Sequence, residues 1–269
     1  MSGETSAFVG SIPEHYDRNL GPIIFVDYAA DIAPRVAAGK PGKVLETAAG
    51  TGVVTRALRD HLPADTRLIA TDLNEPMLDV ARTKFRSGER VEFQQADAMA
   101  LPFADGSFDM VVCQFGVMFF PDKDLSFREV YRVLTPGGRY LFNIWDSHRY
   151  NACGRIVHET AGRFFPVDPP QFMSVPFSYS FEPAKESLIK AGFGDISAAV
   201  VRLEKDLPKP EMLARGLVYG NPLSDQIRTR GGIDPEKVVA AVVGEYRREF
   251  ADGRLPLQAT VISATKPKP

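Results

Sequence analysis

The chain has 269 residues, of which 44% are hydrophobic and 25% charged, so it contains enough apolar material for a full globular core. Its 32 basic and 34 acidic residues give a formal net charge of -2, which provides no electrostatic reason to expect nucleic acid or an acidic membrane surface as a partner. The two cysteines, Cys113 and Cys153, belong to no CxxC pair and to no zinc-ligand spacing. We therefore expect a reducing compartment and no metal site.

No targeting or membrane signal is visible in the sequence. The N-terminus lacks a basic segment followed by an apolar run, and no stretch approaches the roughly 18 apolar residues of a membrane span. We expect a cytoplasmic protein without a membrane span. The oligomeric state stays open, since the composition is compatible with a monomer and with a homo-oligomer.

The predicted elements begin with a mostly helical N-terminal lid over residues 1–40. Over 41–146, short apolar runs then alternate with amphipathic segments, the pattern of a parallel sheet with helices on both faces. The predicted strands are KVLET, TRLIATD, RVEFQQA, FDMVVCQ and RYLFNIWD. The predicted helices between them are VTRALRDHL, PMLDVARTKF and SFREVYRVL. This region is predicted to be a Rossmann-like core.

The alternation breaks at 147–180, a segment rich in Pro, Phe and Tyr, which is predicted to be a cap insertion with a helix over about 151–165 followed by a loop. The core continues over 181–207 with the helix PAKESLIKAGF and the strand ISAAVVRLEKDL.

A second cap insertion is predicted over 208–254. It contains the helix DPEKVVAAVVGEYRREF, with Asp234 as N-cap and Pro235 at the first helical position. Residues 255–269 carry the final strand, QATVISATK, and a tail. The predicted fold is a three-layer, Rossmann-like α/β fold: a seven-stranded, mostly parallel sheet with a C-terminal antiparallel hairpin, plus helical lid and cap insertions.

Three features at successive strand ends predict a ligand that contains adenosine. Gly50 and Gly52, in VLETAAGTG, allow a sharp turn with close approach to a ligand, and the helix that follows offers free N–H groups. Asp72 ends the next strand, where an acid accepts hydrogen bonds from ribose hydroxyls. Asp97 ends the third strand, where a carboxylate can accept from the adenine amine while Ala98 offers a backbone N–H. Each feature alone has an ordinary explanation as a turn or a cap, but three in order favour a binding site.

The region 44–146 resembles the class I S-adenosylmethionine-dependent methyltransferases, in particular the small-molecule group that includes the ubiquinone/menaquinone biosynthesis enzymes. The resemblance rests on the acid and glycines at Glu46, Gly50 and Gly52, and on DLNEPML, ADAMALPF, SFDMVVCQFGVMFFPD and LTPGGRYL in order. It implies S-adenosylmethionine as cofactor and S-adenosylhomocysteine as product. Ala48 replaces the first glycine of the family pattern, and we expect its methyl group to narrow the approach of the methionine part.

The resemblance also implies a set of cofactor contacts. The methionine part would lie near Ala48 and Gly50, with Glu46 acting through water or backbone orientation. The segment PEHYDRNLGP resembles the lid helices of these enzymes, and Tyr16 is expected to close over the cofactor carboxylate. Asp72 would bind the ribose, and Leu73 and Met77 would cover the adenine faces. Asp97 and Ala98 would bind the adenine edge, and Gln114 with Phe115 would border the sulfonium. The full predicted set is Tyr16, Glu46, Ala48, Gly50, Gly52, Asp72, Leu73, Met77, Asp97, Ala98, Gln114 and Phe115.

Methyl transfer from a sulfonium is an in-line displacement, so orientation and exclusion of water matter more than a protein nucleophile. An alcohol or phenol acceptor gains from a base, and His148, just after the fifth strand, is the predicted candidate. Tyr150 beside it and His15 on the lid are weaker candidates, and each has an ordinary reading as a solvated or packed side chain.

Missing signatures and aromatic insertions favour a small, partly apolar acceptor methylated on O, N or C. The segment CQFGVMFFPD lacks the Asn-Pro-Pro-aromatic signature for base amines and the Pro that accompanies a cytosine-methylating Cys. Asp146 has no acidic cluster around it for metal-dependent transfer to a catechol. The cap aromatics predicted to form an apolar pocket are Phe164, Phe165, Phe172, Phe177, Tyr179 and Tyr219.

Two other functions remain open at the level of sequence. An NAD-dependent oxidoreductase shares the glycine turn and the later acid, but the chain has neither a full GxGxxG nor a Tyr-x-x-x-Lys pair after the fourth strand. A non-catalytic S-adenosylmethionine-binding protein would explain Ala48 and the absence of an obvious base.

Overall fold

A seven-stranded sheet forms the centre of the protein in the computed structural model, which describes residues 7–207 and 209–269. The strands in chain order are β1 (Lys43–Glu46), β2 (Arg67–Asp72), β3 (Val91–Gln95), β4 (Phe108–Gln114), β5 (Leu134–Trp145), β6 (Gly194–Asp206) and β7 (Arg254–Thr265). Their order across the sheet is β3-β2-β1-β4-β5-β7-β6. Strands β1 to β5 pair in parallel, while β7 is antiparallel to both β5 and β6. The predicted fold class, including the C-terminal hairpin, is confirmed.

Ten α-helices are found in the described ranges, and they fill the connections between strands. They are α1 (Ile12–His15), α2 (Val26–Ala37), α3 (Val53–His61), α4 (Glu75–Arg82), α5 (Lys123–Val133), α6 (Ala152–Phe164), α7 (Phe181–Ala191), α8 (Pro210–Tyr219), α9 (Leu223–Arg230) and α10 (Pro235–Glu249). Short 3₁₀ turns occupy Val117–Phe119 and Phe172–Phe177.

The two faces of the sheet bury separate apolar clusters because successive strand residues point in opposite directions. On one face, Val44 of β1 and Met110 of β4 pack with residues of α2 and α3. On the other face, Leu45 and Val111 join a larger cluster that includes Phe127 of α5 and continues into the cap helices. The alternation read from the sequence therefore corresponds to two buried layers.

The helical N-terminal segment contains a wide turn that the sequence did not predict. Between α1 and α2 the chain forms a π-helix over Tyr16–Phe25, in which the N–H of Val26 donates to the carbonyl of Gly21, five residues earlier. Pro22 lies inside this stretch. Proline in an ordinary α-helix clashes with the carbonyl four residues before it, and a wider turn removes that clash.

The two cap insertions are helical. Helix α6 begins and ends within one residue of its prediction. Helix α10 begins as predicted: the Asp234 side chain accepts from the N–H of Glu236 at 2.9 Å, and Pro235 stands at the first position. The second insertion also holds α8 and α9, which had no separate prediction. In the described part of the chain, no helix combines the length and the apolar character that a bilayer crossing requires.

Candidate active site

A cleft of about 1170 Å³, counting the part open to solvent, runs along the carboxyl edge of the parallel strands. It lies where β1 and β4 diverge in the strand order, which is where ligands bind in open α/β sheets. One end is bordered by Asp72 and Asp97, and the other by the cap insertions. A smaller cavity beside Glu46 shares Tyr16 and other walls with it.

Asp72 connects the glycine turn to the end of β2. One carboxylate oxygen accepts from the N–H of Gly50 at 2.8 Å, and the other accepts from the N–H of Asn74 at 2.9 Å. Asp72 is only 7% exposed, and burial raises the pKa of its carboxyl, while these hydrogen bonds act in the opposite direction. Because a carboxylate oxygen has two lone pairs, the oxygen bonded to Gly50 keeps capacity to accept from a ligand, whereas the other also accepts from the Asn74 side-chain amide at 3.4 Å.

The turn after β1 is held in left-handed backbone conformations. Ala48, Gly50 and Gly52 have φ of +52°, +54° and +79°, a region that costs a residue with a Cβ about 1–2 kcal/mol. A Cβ on residue 52 would lie 2.8 Å from the Cβ of Ala81 in α4, so Gly52 is required for packing. Gly50 instead borders the cleft, and its nearest neighbour at the Cβ position is Met77, at 3.9 Å.

The methyl group of Ala48 faces Gly116, after β4. A Cβ built on Gly116 would lie only 2.5 Å from that methyl carbon. We expected the methyl group to narrow the methionine approach, and Ala48 does border both cavities, while its methyl carbon also occupies the space that a side chain at residue 116 would need.

Glu46, at the end of β1, is 1% exposed, and its Oε2 atom has no hydrogen-bond partner among the described residues. Burial raises the pKa of this carboxyl to about 8, so it is protonated at neutral pH. A buried polar atom without a partner is costly, which suits a group that a ligand completes. Glu46 borders the smaller cavity together with Gly50 and Tyr16.

The far side of the polar end is formed by residues after β2 and β3. Asp97 accepts from the N–H of Met99 at 2.8 Å, which orients its carboxylate at the cleft wall. Leu73, 46% exposed, and Met77, 4% exposed, both border the same space, as does Ala98. The structure therefore brings the predicted adenine-side residues together.

Gln114 and Phe115 form the middle of the cleft at the end of β4. The Gln114 amide donates to the carbonyl of Phe25 at 3.3 Å and accepts from the Asn143 amide at 3.3 Å. The Phe115 N–H donates to the Asn143 side chain at 3.0 Å, and its ring stacks on Trp145 with 3.9 Å between centroids. The backbone of Phe115 is left-handed, with φ of +54°, and its partners on β5 hold it there.

The π-helical segment supplies the lid over this middle part. Tyr16 borders both cavities and stacks on Phe25, with 4.9 Å between ring centroids. Burial, and then the negative charge of Asp72, raise the pKa of the Tyr16 hydroxyl far above its usual value, so it stays a neutral donor.

The cap end of the cleft is walled by aromatic side chains. Phe119 and Phe172 stack with 5.7 Å between centroids, and Phe8 meets both of them edge-on. Of the six cap aromatics predicted to form the pocket, Phe172 and Phe177 border the cleft. The prediction was wrong for the other four, which pack against the hydrophobic core instead: Phe164, Phe165, Tyr179 and Tyr219.

Comparison with known proteins identifies the family. A family model described as "Methyltransferase domain" matches residues 44–138. A ubiquinone/menaquinone biosynthesis C-methyltransferase of Shewanella frigidimarina is 34% identical over 177 residues, covering 60% of this chain and 70% of that protein. A demethylmenaquinone methyltransferase of Thermus thermophilus is 41% identical over 117 residues, or 43% of this chain and 50% of that protein. The chain belongs to the class I S-adenosylmethionine-dependent methyltransferases.

Solved structures agree on the fold. The YcgJ protein of Bacillus subtilis has a TM-score of 0.59 at 21% identity, covering 90% of this chain and 100% of that one. A Haemonchus contortus phosphoethanolamine N-methyltransferase in complex with S-adenosyl-L-methionine has a TM-score of 0.55 at 18% identity, covering 97% and 61%. At these identities the likeness is one of architecture. The enzyme transfers a methyl group from S-adenosylmethionine to a small molecule, and the comparisons give no support to an oxidoreductase.

The polar side chains at the cleft fit S-adenosylmethionine. Asp72 and Asp97 offer carboxylates 25 residues apart in sequence at one cleft wall, which suits the ribose and the adenine amine. The partnerless Oε2 of Glu46 suits the ammonium end, and Gly50 leaves its Cβ position open to the cleft.

The three candidates for a base lie away from the cleft lining. The Nε2 atom of His148 is 2.9 Å from the carbonyl oxygen of Met173, and its ring packs on Phe177. His15 stacks on Tyr219, and Tyr150 is 41% exposed. None of the three is among the described residues that border the cleft.

Sequence reasoning missed much of the apolar lining. Trp145 ends β5 at the same sheet edge as Gln114, so the strand-end rule applies to it as well. The lid and cap residues had no comparable signal, because tertiary packing turns them inward. The cleft-lining residues without a prediction include Phe8, Leu20, Ile24, Phe25, Met99, Phe119, Phe120, Trp145, Met173, Pro176, Leu217 and Asn221.

Proposed function

We propose that the methyltransferase methylates a ring carbon of a planar, electron-rich aromatic acceptor that carries apolar substituents. The observation that carries this proposal is the composition of the cap end. On the side of Gln114 away from Asp72 and Asp97, none of the described lining residues has a charged side chain. One relative is named a ubiquinone/menaquinone biosynthesis C-methyltransferase and another a demethylmenaquinone methyltransferase, which supports the same acceptor class.

The chemistry of the wall favours a ring acceptor over an amine. An alkylamine is cationic at neutral pH, and desolvating that charge at a cleft end whose described lining residues include no carboxylate costs several kcal/mol. Contact with the faces of Phe119, Phe172 and Trp145 returns only about 2 kcal/mol of this cost. An electron-rich phenol or hydroquinone ring carries its own electron density at carbon, so it needs orientation and dry surroundings more than a protein base. Its ring carbon would form the new bond as the methyl–sulfur bond breaks, S-adenosylhomocysteine would leave, and the displaced ring proton would pass to water. The absence of His148 from the cleft lining is consistent with that chemistry.

We propose the following roles at the polar end. Asp72 accepts from the ribose hydroxyls, Asp97 and the N–H of Ala98 hold the adenine edge, and Leu73 and Met77 cover its faces. Glu46 and Tyr16 hold the amino-acid end, with Gly50 giving close approach. The bound cofactor supplies an electrophilic methyl group on sulfur. Gln114 and Phe115 are proposed to border that sulfur.

Partners and location follow the same reasoning. The balanced charge supports a small molecule rather than nucleic acid as the acceptor. A cytoplasmic location and the oligomeric state stay predictions that a fractionation experiment and a sedimentation experiment respectively would test.

The test is an acceptor panel with product identification. Purified enzyme and S-adenosylmethionine are incubated anaerobically with a short-chain hydroquinone, an O-methylatable phenol, a primary alkylamine and a phosphobase. S-adenosylhomocysteine release gives the rate, and mass spectrometry with isotope-labelled methyl locates the new bond. We expect a new carbon–carbon bond on the hydroquinone only. Methylation of the amine or the phosphobase in preference to the ring would refute the proposal.

A further inference from the structure

Phe177 forms one wall of the cap end, and its contacts define where its ring lies. The side chain borders the cleft at the end of the 3₁₀ turn Phe172–Phe177. Its ring lies against Trp145, with 6.3 Å between centroids, and against the ring of His148, at 4.7 Å. The ring is therefore packed between the sheet edge and the residues that follow β5.

Gly154 in α6 supplies the surface on which this ring rests. A Cβ built at residue 154 would overlap the Cε2 and Cζ atoms of Phe177 and lie 3.1 Å from its Cδ2. The ring thus packs directly on helix backbone, as close as only glycine permits. Because the overlapping atoms are the outer end of a side chain, a larger residue at 154 would move the ring rather than the helix.

His148 fixes the turn that carries Phe177. Its Nε2 atom is 2.9 Å from the Met173 carbonyl oxygen, which can only accept, so Nε2 carries the proton. Burial lowers the pKa of His148, and the neutral ring therefore donates through Nε2 at neutral pH. The nitrogen that holds the turn is consequently not free to take a proton from an acceptor.

We propose that Gly154 and His148 are positioning residues that hold Phe177 as the wall setting the width of the acceptor end. Together they determine which ring acceptors fit. This inference rests on the proposed function, because it takes the cap end as the place of the acceptor. Neither residue touches the reacting atoms.

The first test compares two substitutions in the same helix. Gly154→Ala moves the Phe177 ring, whereas Gly162→Ala, also in α6, meets nothing closer than 3.7 Å and serves as the matched control. Alanine favours helix formation over glycine by about 1 kcal/mol, which offsets part of the overpacking at residue 154, so both variants are expected to fold. We expect Gly154→Ala to raise KM for a wide ring acceptor about tenfold, as one methylene does in an apolar pocket, with the cofactor Kd unchanged. Equal KM values for the two variants would overturn the proposal.

The second test separates positioning from base catalysis at His148. His148→Gln keeps an N–H at the reach of Nε2, and His148→Ala removes it. We expect Ala to raise the acceptor KM about three- to tenfold, the effect of one lost neutral hydrogen bond, and Gln to restore it. A loss of kcat shared by both variants, with the alkaline-rising limb of the pH profile removed, would assign His148 as a base and overturn this role.

A readout without the acceptor keeps this inference distinct from the proposed function. Trp145 is the chain's only tryptophan, and it lies beside Phe177, so its emission reports the ring position. We expect Gly154→Ala to shift that emission and Gly162→Ala to leave it unchanged. If the parent enzyme prefers amines, the acceptor class fails while the emission shift still stands. If Gly154→Ala leaves the emission unchanged, the positioning role fails whichever acceptor is used.

Discussion

The methyl carbon of Ala48 lies 2.5 Å from where a Cβ on residue 116 would be, so a side chain at residue 48 leaves room only for glycine at residue 116. The same Cβ would lie 2.7 Å from the sulfur of Cys113. Ala48 belongs to the turn after β1 and Gly116 to the loop after β4. The two loops that enclose the middle of the cleft are therefore fitted to each other through one methyl group.

This fit predicts the behaviour of three variants. Gly116→Ala should destabilise the fold by about 1–3 kcal/mol through overpacking, as read by chemical denaturation. Ala48→Gly should stabilise the fold slightly, by up to about 1 kcal/mol, because relief of left-handed strain of about 1–2 kcal/mol exceeds the added chain entropy of glycine, about 0.5–1 kcal/mol. The double variant should recover part of the loss, since the Cys113 overlap remains. Strict additivity of the two single effects would contradict a direct contact.

Asp72 offers a test of the cofactor pose. Asp72→Ala removes an acceptor for ribose hydroxyls and for the Gly50 N–H, so S-adenosylhomocysteine affinity should fall by about 1.5–3 kcal/mol, measured by calorimetry. Asp72→Asn keeps the shape and one acceptor oxygen, and should lose less. Parent-like affinity in both variants would mean that the ribose lies elsewhere.

Glu46 predicts a proton coupled to binding. Its folded pKa of about 8 lies above the ordinary 4.5, so the folded cofactor-free protein holds a proton here between these values while the unfolded chain does not. This group's stabilising contribution therefore declines as pH rises through that window. A cofactor ammonium beside Glu46 would favour the carboxylate, so binding at pH 7 should release close to one proton and tighten as pH rises towards 8.

Calorimetry in two buffers of different ionisation enthalpy measures this proton. Glu46→Gln should bind the cofactor without the release, which makes it the matched control. Equal apparent enthalpies in both buffers for the parent enzyme would show that Glu46 does not change its protonation on binding.

The cap of α10 gives a stability prediction away from the cleft. Asp234→Ala removes the acceptor for the Glu236 N–H and should cost about 1 kcal/mol, lowering Tm by about 2–4 °C. Asp234→Ser should retain most of that stability, and methyl transfer should be unchanged in both. A fall in kcat would reveal that α10 takes part in shaping the cleft.

The polar end of the site was predictable because sheet topology brings strand ends together. The alternation of apolar runs with amphipathic segments predicted parallel strands. Since the carboxyl ends of parallel strands lie at one edge of a sheet, Asp72, Asp97 and Gln114 were expected to meet there. The turn at Gly50 carried its own signal, since its backbone conformation limits the residue type. These positions depend on local chemistry and on strand order, which sequence patterns record.

The apolar end was not predictable in the same way. The contact of Phe177 with Gly154 joins a 3₁₀ turn to a helix face, and no periodicity links the two positions. His148 had the chemistry of a base but packs with its Nε2 on a carbonyl of the chain. The π-helix at Tyr16 arises from packing around a proline inside a long helix, and propensity scales contain no signal for it.

The walls of the cap end of the cleft come largely from segments inserted outside the five parallel strands: the lid before β1, the loop between β5 and α7, and the helices between β6 and β7. Evolution can therefore change the methyl acceptor by altering these insertions while binding of S-adenosylmethionine is retained. For enzyme engineering, α6 and the turn at Phe172–Phe177 are the segments to diversify, and the glycine turn after β1 is the one to leave untouched.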